Sequence, residues 1–408
     1  MPQQLLFEPF QNPFRPGAGQ LPPHLAGRSK QIEYFEKNVL TQNPVLTNLL
    51  ISGLRGVGKT VLLDTLRPVA IQSGWIWAGT DLSESVSVSE KNLSMRIMTD
   101  LASAVSSIPI HEVEIKEMGF SNKTETATTF ITGEILKNLY DKTFGLESDK
   151  LKKVLEFTWS NVQHTAKGIV LAYDEAQNLN DEAEDKQYPL SLLLEVMSFV
   201  QKHQIPYILI LTGLPTLFSN LVEARTYSER MFHQMILTKL SKEESEEAIV
   251  VPIQKDNCPV RLSPSFINEI IKNSGGYPYF IQYLCKEVYD SYLQQVAMGN
   301  EFPDIILESI IRKLDTDFYQ GRWGKVTDRQ KELLITISKL PNAEEEFTAK
   351  EIIEESKQTE EPFKSSALSI MLSSLISAGL IYKNRHGRYS FAVPMFSKFI
   401  KREIEEIF

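Results

Sequence analysis

Cysteine is scarce in this chain. Cys258 and Cys285 are the only two in 408 residues, far apart in sequence and without the spacing of a metal-binding pair. That excludes a disulfide-stapled secreted fold, and the two thiols read as reduced and buried, as in a cytoplasmic protein. The six histidines are scattered, none beside acids or cysteines at metal-ligand spacing. Long apolar runs are missing as well. Stretches such as Tyr207 to Leu211 are far too short to cross a bilayer, so no membrane segment is expected. The opening Met1-Pro2-Gln3-Gln4-Leu5-Leu6-Phe7 has no basic stretch followed by an apolar core, so no secretory signal is expected. There is no basic excess either. The formal net charge of -9 confines any DNA contact to a local patch. No internal repeat or long low-complexity tract occurs. With 42% hydrophobic and 23% charged residues, the composition is that of a globular protein, and the length fits two or three domains.

Against those absences stands one dense motif, Gly53-Leu54-Arg55-Gly56-Val57-Gly58-Lys59-Thr60. It reads G-x-x-x-x-G-K-T, the phosphate-binding loop of nucleoside triphosphatases. An apolar run, Thr47 to Ser52, precedes it, and Val61 to Leu66 follows as the first turns of a helix. Glycines let backbone amides approach phosphate oxygens, and the helix start adds free N–H groups and a partial positive charge. Lys59 reaches toward the β- and γ-phosphates, and the Thr60 hydroxyl is a magnesium ligand. Gly53, Arg55, Gly56, Val57, Gly58, Lys59, Thr60 and Val61 are the candidate nucleotide contacts.

A second motif, Ile169-Val170-Leu171-Ala172-Tyr173-Asp174-Glu175, is an apolar strand ending in two acids, the Walker B pattern. Asp174 is placed to hold Mg²⁺. Glu175, one residue on, is placed to polarise a water for attack on the γ-phosphate. The next apolar strand, Tyr207 to Leu211, ends in Thr212-Gly213, and Thr212 is the candidate to orient that water. A guanine-reading string is lacking, because Asn122-Lys123-Thr124-Glu125 ends in Glu and follows no strand. Adenine, and hence ATP, is the expected base.

Strand-like and helix-like segments alternate from about Thr47 to Leu240. Strands are expected at Leu49–Ser52, Trp75–Ala78, Ile169–Tyr173, Tyr207–Leu211 and Met235–Leu237. Helices are expected at Thr60–Ser73, Lys91–Ser106, Lys150–Gln163 and Leu190–Gln204. This alternation predicts an α/β fold, a P-loop NTPase parallel sheet in an αβα sandwich. Ile110 to Thr132 shows no periodicity and reads as an inserted or mobile segment. From Ser241 the pattern is helical only, an all-helical lid. From Val326 it becomes three helices and a hairpin with its turn at Asn384 to Gly387, a C-terminal winged helix-turn-helix. The expected domains are an extended segment over 1–20, a nucleotide-binding core over 21–240, a helical lid over 241–322 and a winged helix over 323–408.

The order of these parts resembles the AAA+ ATPases, above all their origin-recognition and initiator-like branch and the related STAND-type bacterial ATPases. The resemblance covers nearly the whole chain. It implies that His24-Leu25-Ala26-Gly27-Arg28 is the box lining the adenine pocket, with Gly27 and Arg28 as contacts. It places Thr212 at the sensor 1 position, where many relatives have Asn. It places Gly275-Gly276-Tyr277-Pro278-Tyr279 where the lid contributes sensor 2, with Tyr277 and Pro278 as contacts although many relatives carry Arg there. Thr226 to Phe232 resembles the segment bearing the arginine finger, with Arg230 as candidate and Arg225 as rival. A finger acts on a neighbouring subunit, so the resemblance implies a homo-oligomer in the ATP state.

The output of such an ATPase is left open between double-stranded DNA and a protein partner. A winged helix meets DNA through its recognition helix and wing. Here Lys364, Lys383, Arg385 and Arg388 are the candidate contacts, beside His386, Lys398, Lys401 and Arg402. Glu344-Glu345-Glu346 and Glu354-Glu355 bring negative charge to the same region, which weakens phosphate contacts and suits protein docking.

Overall fold

The computed structural model describes residues 11–109, 130–182, 184–254, 258–300, 303–359, 361–385 and 387–407. The opening Met1 to Phe7, most of the aperiodic stretch (110–129, including Asn122 to Glu125) and His386 of the hairpin turn lie outside the described residues. The chain forms two compact units. One comprises 29–53 and 59–237, and the other 1–28, 54–58 and 238–408.

The first unit is built on a five-stranded parallel sheet. Its strands are β1 (Asn48–Ser52), β2 (Ile76–Ala78), β3 (Ile169–Tyr173), β4 (Tyr207–Gly213) and β5 (Phe232–Ile236), in the spatial order β2-β3-β4-β1-β5. Every residue of β1, β3 and β4 is buried, which is why these three read as unbroken apolar runs. The edge strands β2 and β5 are partly open and carry a weaker pattern. Helices α1 (Lys59–Gln72), α2 (Glu90–Val105), α3 (Gly133–Lys142), α4 (Glu147–Val162), α5 (Pro189–Lys202) and α6 (Leu217–Ala224) connect the strands.

Register sets the site. Ile51 pairs with Thr212 across β1 and β4, and Tyr173 pairs with Leu211 across β3 and β4. The tip of β4 therefore lies between the strand that feeds the phosphate loop and the strand that ends in Asp174. Strand β5 and helices α3 and α6 differ from the sequence expectation, α6 having been expected by no pattern. Strand β5 starts at Phe232, three residues before the expected Met235. Helix α3 was not anticipated, because only Leu136 and Tyr140 of its ten residues are buried, too few to stand out beside an aperiodic stretch.

The second unit is mostly helical. It contains α7 (Lys242–Ile253), α8 (Pro264–Ser274), α9 (Pro278–Ala297) and α10 (Leu307–Leu314), then helical turns at Asp315–Gln320 and Gly321–Trp323. Ser241 and Glu244 form a reciprocal capping box on α7, as the serine followed by acids suggests. The extended residues 11–28 lie along this unit. Asn12 Nδ2 donates to Lys286 O (2.9 Å), and Phe14 is buried edge-on to Tyr289.

Next come α11 (Asp328–Lys339), β6 (Phe347–Thr348), α12 (Ala349–Ser356), α13 (Ser365–Ser377), β7 (Ile381–Arg385) and β8 (Arg388–Phe391), with an antiparallel sheet ordered β6-β8-β7. Helix, strand, two helices and hairpin is the order of a winged helix. A last helix, α14 (Phe396–Ile407), was not expected. Its Phe396 and Phe399 pack with Trp323 and Tyr319, and this buried aromatic cluster secures the helix.

Candidate active site

Asp174 is buried, 2% exposed, and both of its carboxylate oxygens are held. The Thr212 hydroxyl donates to Oδ1 and the Thr60 hydroxyl to Oδ2. The Glu175 N–H adds a third bond, 2.8 Å to Oδ1. Three sequence-distant elements thus converge on one carboxylate: the start of α1, the tip of β3 and the tip of β4. Lys59 Nζ donates to Gly53 O at 3.0 Å, folding the lysine back over the loop that begins there. Val61 follows on α1, half-buried.

Glu175 is exposed and has φ +52°, the left-handed region that a non-glycine residue enters at about 1–2 kcal/mol. Its carboxylate accepts a hydrogen bond from Gln177 Nε2, and Gln177 Oε1 accepts from Leu214 N (3.1 Å) just past β4. Gln177 was not foreseen. It stands three residues after Asp174, and an acid-bearing strand tip followed closely by an amide is the signal that could have found it.

Two further acids were missed. Asp64 lies on α1 four residues after Thr60, hence on the same helical face. Asp81 follows β2 and forms a β-bridge with Asp174. Partial burial, then the charge of Asp174, holds both carboxyls above the usual carboxylate range. Among the described residues, however, no three His, Cys, Asp or Glu side chains converge as a metal-ligand set. A divalent ion here would meet one carboxylate and one hydroxyl and take its other oxygens from phosphate and water. That is how magnesium differs from calcium. Hard oxygen donors and crowded carboxylates that a cation would relieve make the residues fit Mg²⁺.

Loop residues Leu54–Gly58 group with the helical unit. Gly56 and Gly58 have φ of +77° and +90°, and a side chain at Gly58 would meet nothing within 4 Å. Open space there leaves room for a ligand, and the positive φ values suit only glycine. Arg28, 5% exposed, donates to Val57 O (3.0 Å) and Thr238 O (2.9 Å), so its guanidinium ties the loop to the chain leading into α7. Burial lowers its pKa, and Glu244 opposes that shift. Gly27 has φ +67° with the Glu244 carboxylate where a Cβ would stand. In the Tyr277-Pro278-Tyr279 run, it is Tyr279 that meets the loop, its N–H donating to Gly56 O (3.1 Å). Tyr277 faces Glu344 and Tyr382 instead, and burial pushes its phenol up to about 12. Pro278 opens α9.

Arg230 is exposed on the short helix Ser228–Met231 and makes no salt bridge among the described residues. Arg225 donates to Ala224 O (3.1 Å), and its charge acts on Tyr227. In the C-terminal segment, Lys364 and Lys383 are exposed, and Arg385 pairs in backbone register with Arg388 across the hairpin. The charge of Arg388 reaches Glu351, and Asn384 of the hairpin donates to Glu346 (3.0 Å). The open face of α13 shows Ser366, Ser369, Ser373, Ser377 and Ile370, the last 73% exposed. No helix among the described residues is long and apolar enough to cross a membrane.

Residues 316–400 match a family described only as a domain of unknown function, DUF8462. No curated protein matches the chain. Among solved structures, the fold is similar to that of a Walker-type ATPase of Pyrococcus abyssi at a TM-score of 0.60 and 15% identity, with 92% of this chain and 96% of that one covered. It is similar to the ORC2 protein of Aeropyrum pernix in its ADP form at a TM-score of 0.54 and 14% identity, covering 96% and 97%. The same protein as ADPNP-ADP complexes gives 0.51 at 12% identity, covering 96% and 97%. The chain thus has, end to end, the fold of P-loop ATPases of the ORC kind.

Proposed function

We propose that this chain is an AAA+ ATPase that binds and hydrolyses ATP with Mg²⁺. Its core would be residues 21–240, its lid 241–322 and its output domain the winged helix over 323–408. The observation that carries this is the double hold on Asp174 by Thr60 and Thr212, which readies a strand-tip carboxylate beside the first hydroxyl after the loop lysine. That the ORC2 structures are described with ADP and ADPNP-ADP supports a nucleotide ligand. Lys59 and the loop amides hold the phosphates. Thr60 and Asp174 hold the magnesium, which when bound neutralises phosphate charge. Glu175 takes the proton of the attacking water, and Gln177 fixes the direction of that carboxylate. Exposed Arg230 serves the neighbouring subunit of an ATP-state homo-oligomer. Turnover of ATP by the wild type and by Glu175→Gln tests the reading. Binding retained with turnover lowered at least about 100-fold is expected; equal loss of both would defeat the assignment of Glu175 as base.

The output splits two ways. ATP-gated grip on duplex DNA would run through Lys364, Lys383, Arg385 and Arg388. Docking of a protein partner, as in STAND-like signalling ATPases, is favoured by the face of α13. That face offers serines and exposed Ile370, with Lys364 alone as a cation near its start. A duplex titration with ATP at two salt levels decides. Affinity that falls steeply with salt supports DNA, and none at low salt leaves the protein partner.

A further inference from the structure

Strand β2 is an edge of the parallel sheet, and its outer side faces a cleft of about 470 Å³. The cleft lies wholly within the first unit. Helix α1 walls it with Arg67 and Ile71, and α2 walls it with Asp100, Ser103 and Ala104. The chain crosses the sheet in opposite directions on entering and leaving β2, so right-handed connections put α1 and α2 on opposite faces. The strand edge runs between them. Ile76 N–H donates inward to Gly168 O (3.0 Å), and Ile76 lies opposite Ile169 of β3. Backbone groups alternate in direction along a paired strand, so those of Trp75 and Trp77 turn outward. The Trp75 N–H is taken by Ala70 O of α1 (3.0 Å), which leaves the Trp77 N–H and C=O to the cleft. Among the described residues no strand pairs with β2 on that side. Edge groups of this kind are a template for another strand.

The two faces of the edge carry different chemistry. Ile76 and Ala78 belong to the core that α2 covers, so the two-residue period turns Trp75 and Trp77 to the α1 side. There Arg67 is exposed and makes no salt bridge among the described residues, with Ile71, 51% exposed, on the same helix. On the α2 side Asp100 is only 6% exposed, and Arg96 donates to its Oδ1. Its buried Oδ2 has no hydrogen-bond partner among the described residues.

We propose that β2 takes up an extended peptide segment of a partner protein as a further strand of the sheet, paired through the Trp77 backbone. Side chains of an added strand alternate between the faces. The segment that fits therefore sets an acid toward Arg67 and a hydrogen-bond donor such as lysine toward Asp100. Its apolar residues lie over Ile71 and Trp77 on one face and over Ile76 and Ala104 on the other. This goes beyond the ATPase reading, since neither Trp77 nor Arg67 belongs to the nucleotide site.

The test is fluorescence anisotropy of labelled, capped peptides, each about the length of one strand, with the full-length protein. One peptide is valine-rich with a glutamate and a lysine on adjacent positions, hence on opposite faces. The other has the same composition with the two charges two positions apart, hence on one face. We expect the first to bind about fivefold more tightly than the second, and Arg67→Glu to weaken it about threefold to tenfold. Trp77→Pro deletes the outward N–H and leaves the Ile76 bond to β3 in place, so it should weaken the first peptide about tenfold or more. Trp77→Phe keeps the N–H and should cost less than about threefold. Unchanged affinity in a folded Trp77→Pro overturns the proposal, because the cleft would then hold its ligand by side chains alone. So does the lack of saturable binding by either peptide up to about 1 mM. Should a thermal melt show that Trp77→Pro does not fold, N-methylation of the peptide's central amides decides, and binding that survives it overturns the proposal. Self-association of the wild type that Trp77→Pro abolishes would make the occupant a second copy of this chain and overturn the choice of a partner.

Discussion

Thr212 and Asp174 share a hydrogen bond between the tips of two adjacent strands, with Thr212 fully buried and Asp174 nearly so. The threonine hydrogen therefore points at the acid that would hold magnesium. This differs from the expectation that Thr212 orients the attacking water. A hydroxyl donating to a buried carboxylate fixes the direction of that carboxylate.

Thr212→Val keeps the side chain's shape and removes that donor. Asp174 Oδ1 would be left with the Glu175 N–H alone. A hydrogen bond to a charged group contributes about 1.5–3 kcal/mol. We expect the magnesium needed for half-maximal ATP binding to rise about tenfold or more, with Thr212→Ser restoring it. A magnesium titration of ATP binding checks this, and an unchanged midpoint would show that Thr60 and the Glu175 N–H suffice to hold Asp174.

Asp81 gives a prediction about pH. Its folded pKa is raised, by partial burial and by Asp174 and then Glu175. A raised carboxyl contributes stability below its unfolded pKa, about 3.9, and loses it as pH rises through the folded value. At pH 7 the ionised group therefore opposes folding. Asp81→Asn should raise the melting temperature of the nucleotide-free protein at pH 7, with the gain shrinking as pH falls toward about 4. Added magnesium should stabilise the wild type more than the variant. Melting curves at several pH values, with and without Mg²⁺, test both statements.

How far the site could be read in advance depends on what each residue needs to be found. Lys59, Thr60, Asp174 and Glu175 are fixed by local chemistry, a glycine loop or acids at the end of an apolar run, so sequence reveals them. Thr212 needed one step more, the interposition of β4 between β1 and β3, and the matched apolar strands supplied it. Asp81 reaches Asp174 through pairing of the short edge strand β2, whose pattern is too brief to register it in advance. Helix α14 is a different case. Its Phe396, Phe399, Ile400 and Ile404 do recur at helical spacing, so this helix was legible in the sequence and was overlooked.

Arg28 is argued from unsatisfied carbonyls. Replacing it with Met keeps the stem and removes the donors to Val57 O and Thr238 O. A buried acceptor left without a donor costs about 1–3 kcal/mol. Arg28→Met should therefore lower stability by a few times RT and loosen the loop, raising the Kd for ATP and for ADP alike. Arg28→Lys should recover part of the stability. Denaturant unfolding checks the first effect and nucleotide titration the second. A loss confined to adenine nucleotides, with GTP unaffected, would instead show that Arg28 reads the base.

Gly213 controls the partner of Glu175. A Cβ there would lie 2.7 Å from Gln177 Oε1 and 2.8 Å from Leu217 Cδ2, both ends of flexible side chains. Gly213→Ala should therefore fold while displacing the Gln177 amide from Leu214 N and from Glu175. A carboxylate already in a left-handed backbone position would then lose its only side-chain donor among the described residues. We expect kcat to fall several-fold to about tenfold with ATP affinity unchanged, since the interaction acts on the base and not on the phosphates. Gln177→Leu should reproduce the loss with little change in melting temperature. If kcat is the same in both variants and the wild type, Gln177 does not position the base, and Glu175 must be held by the nucleotide itself.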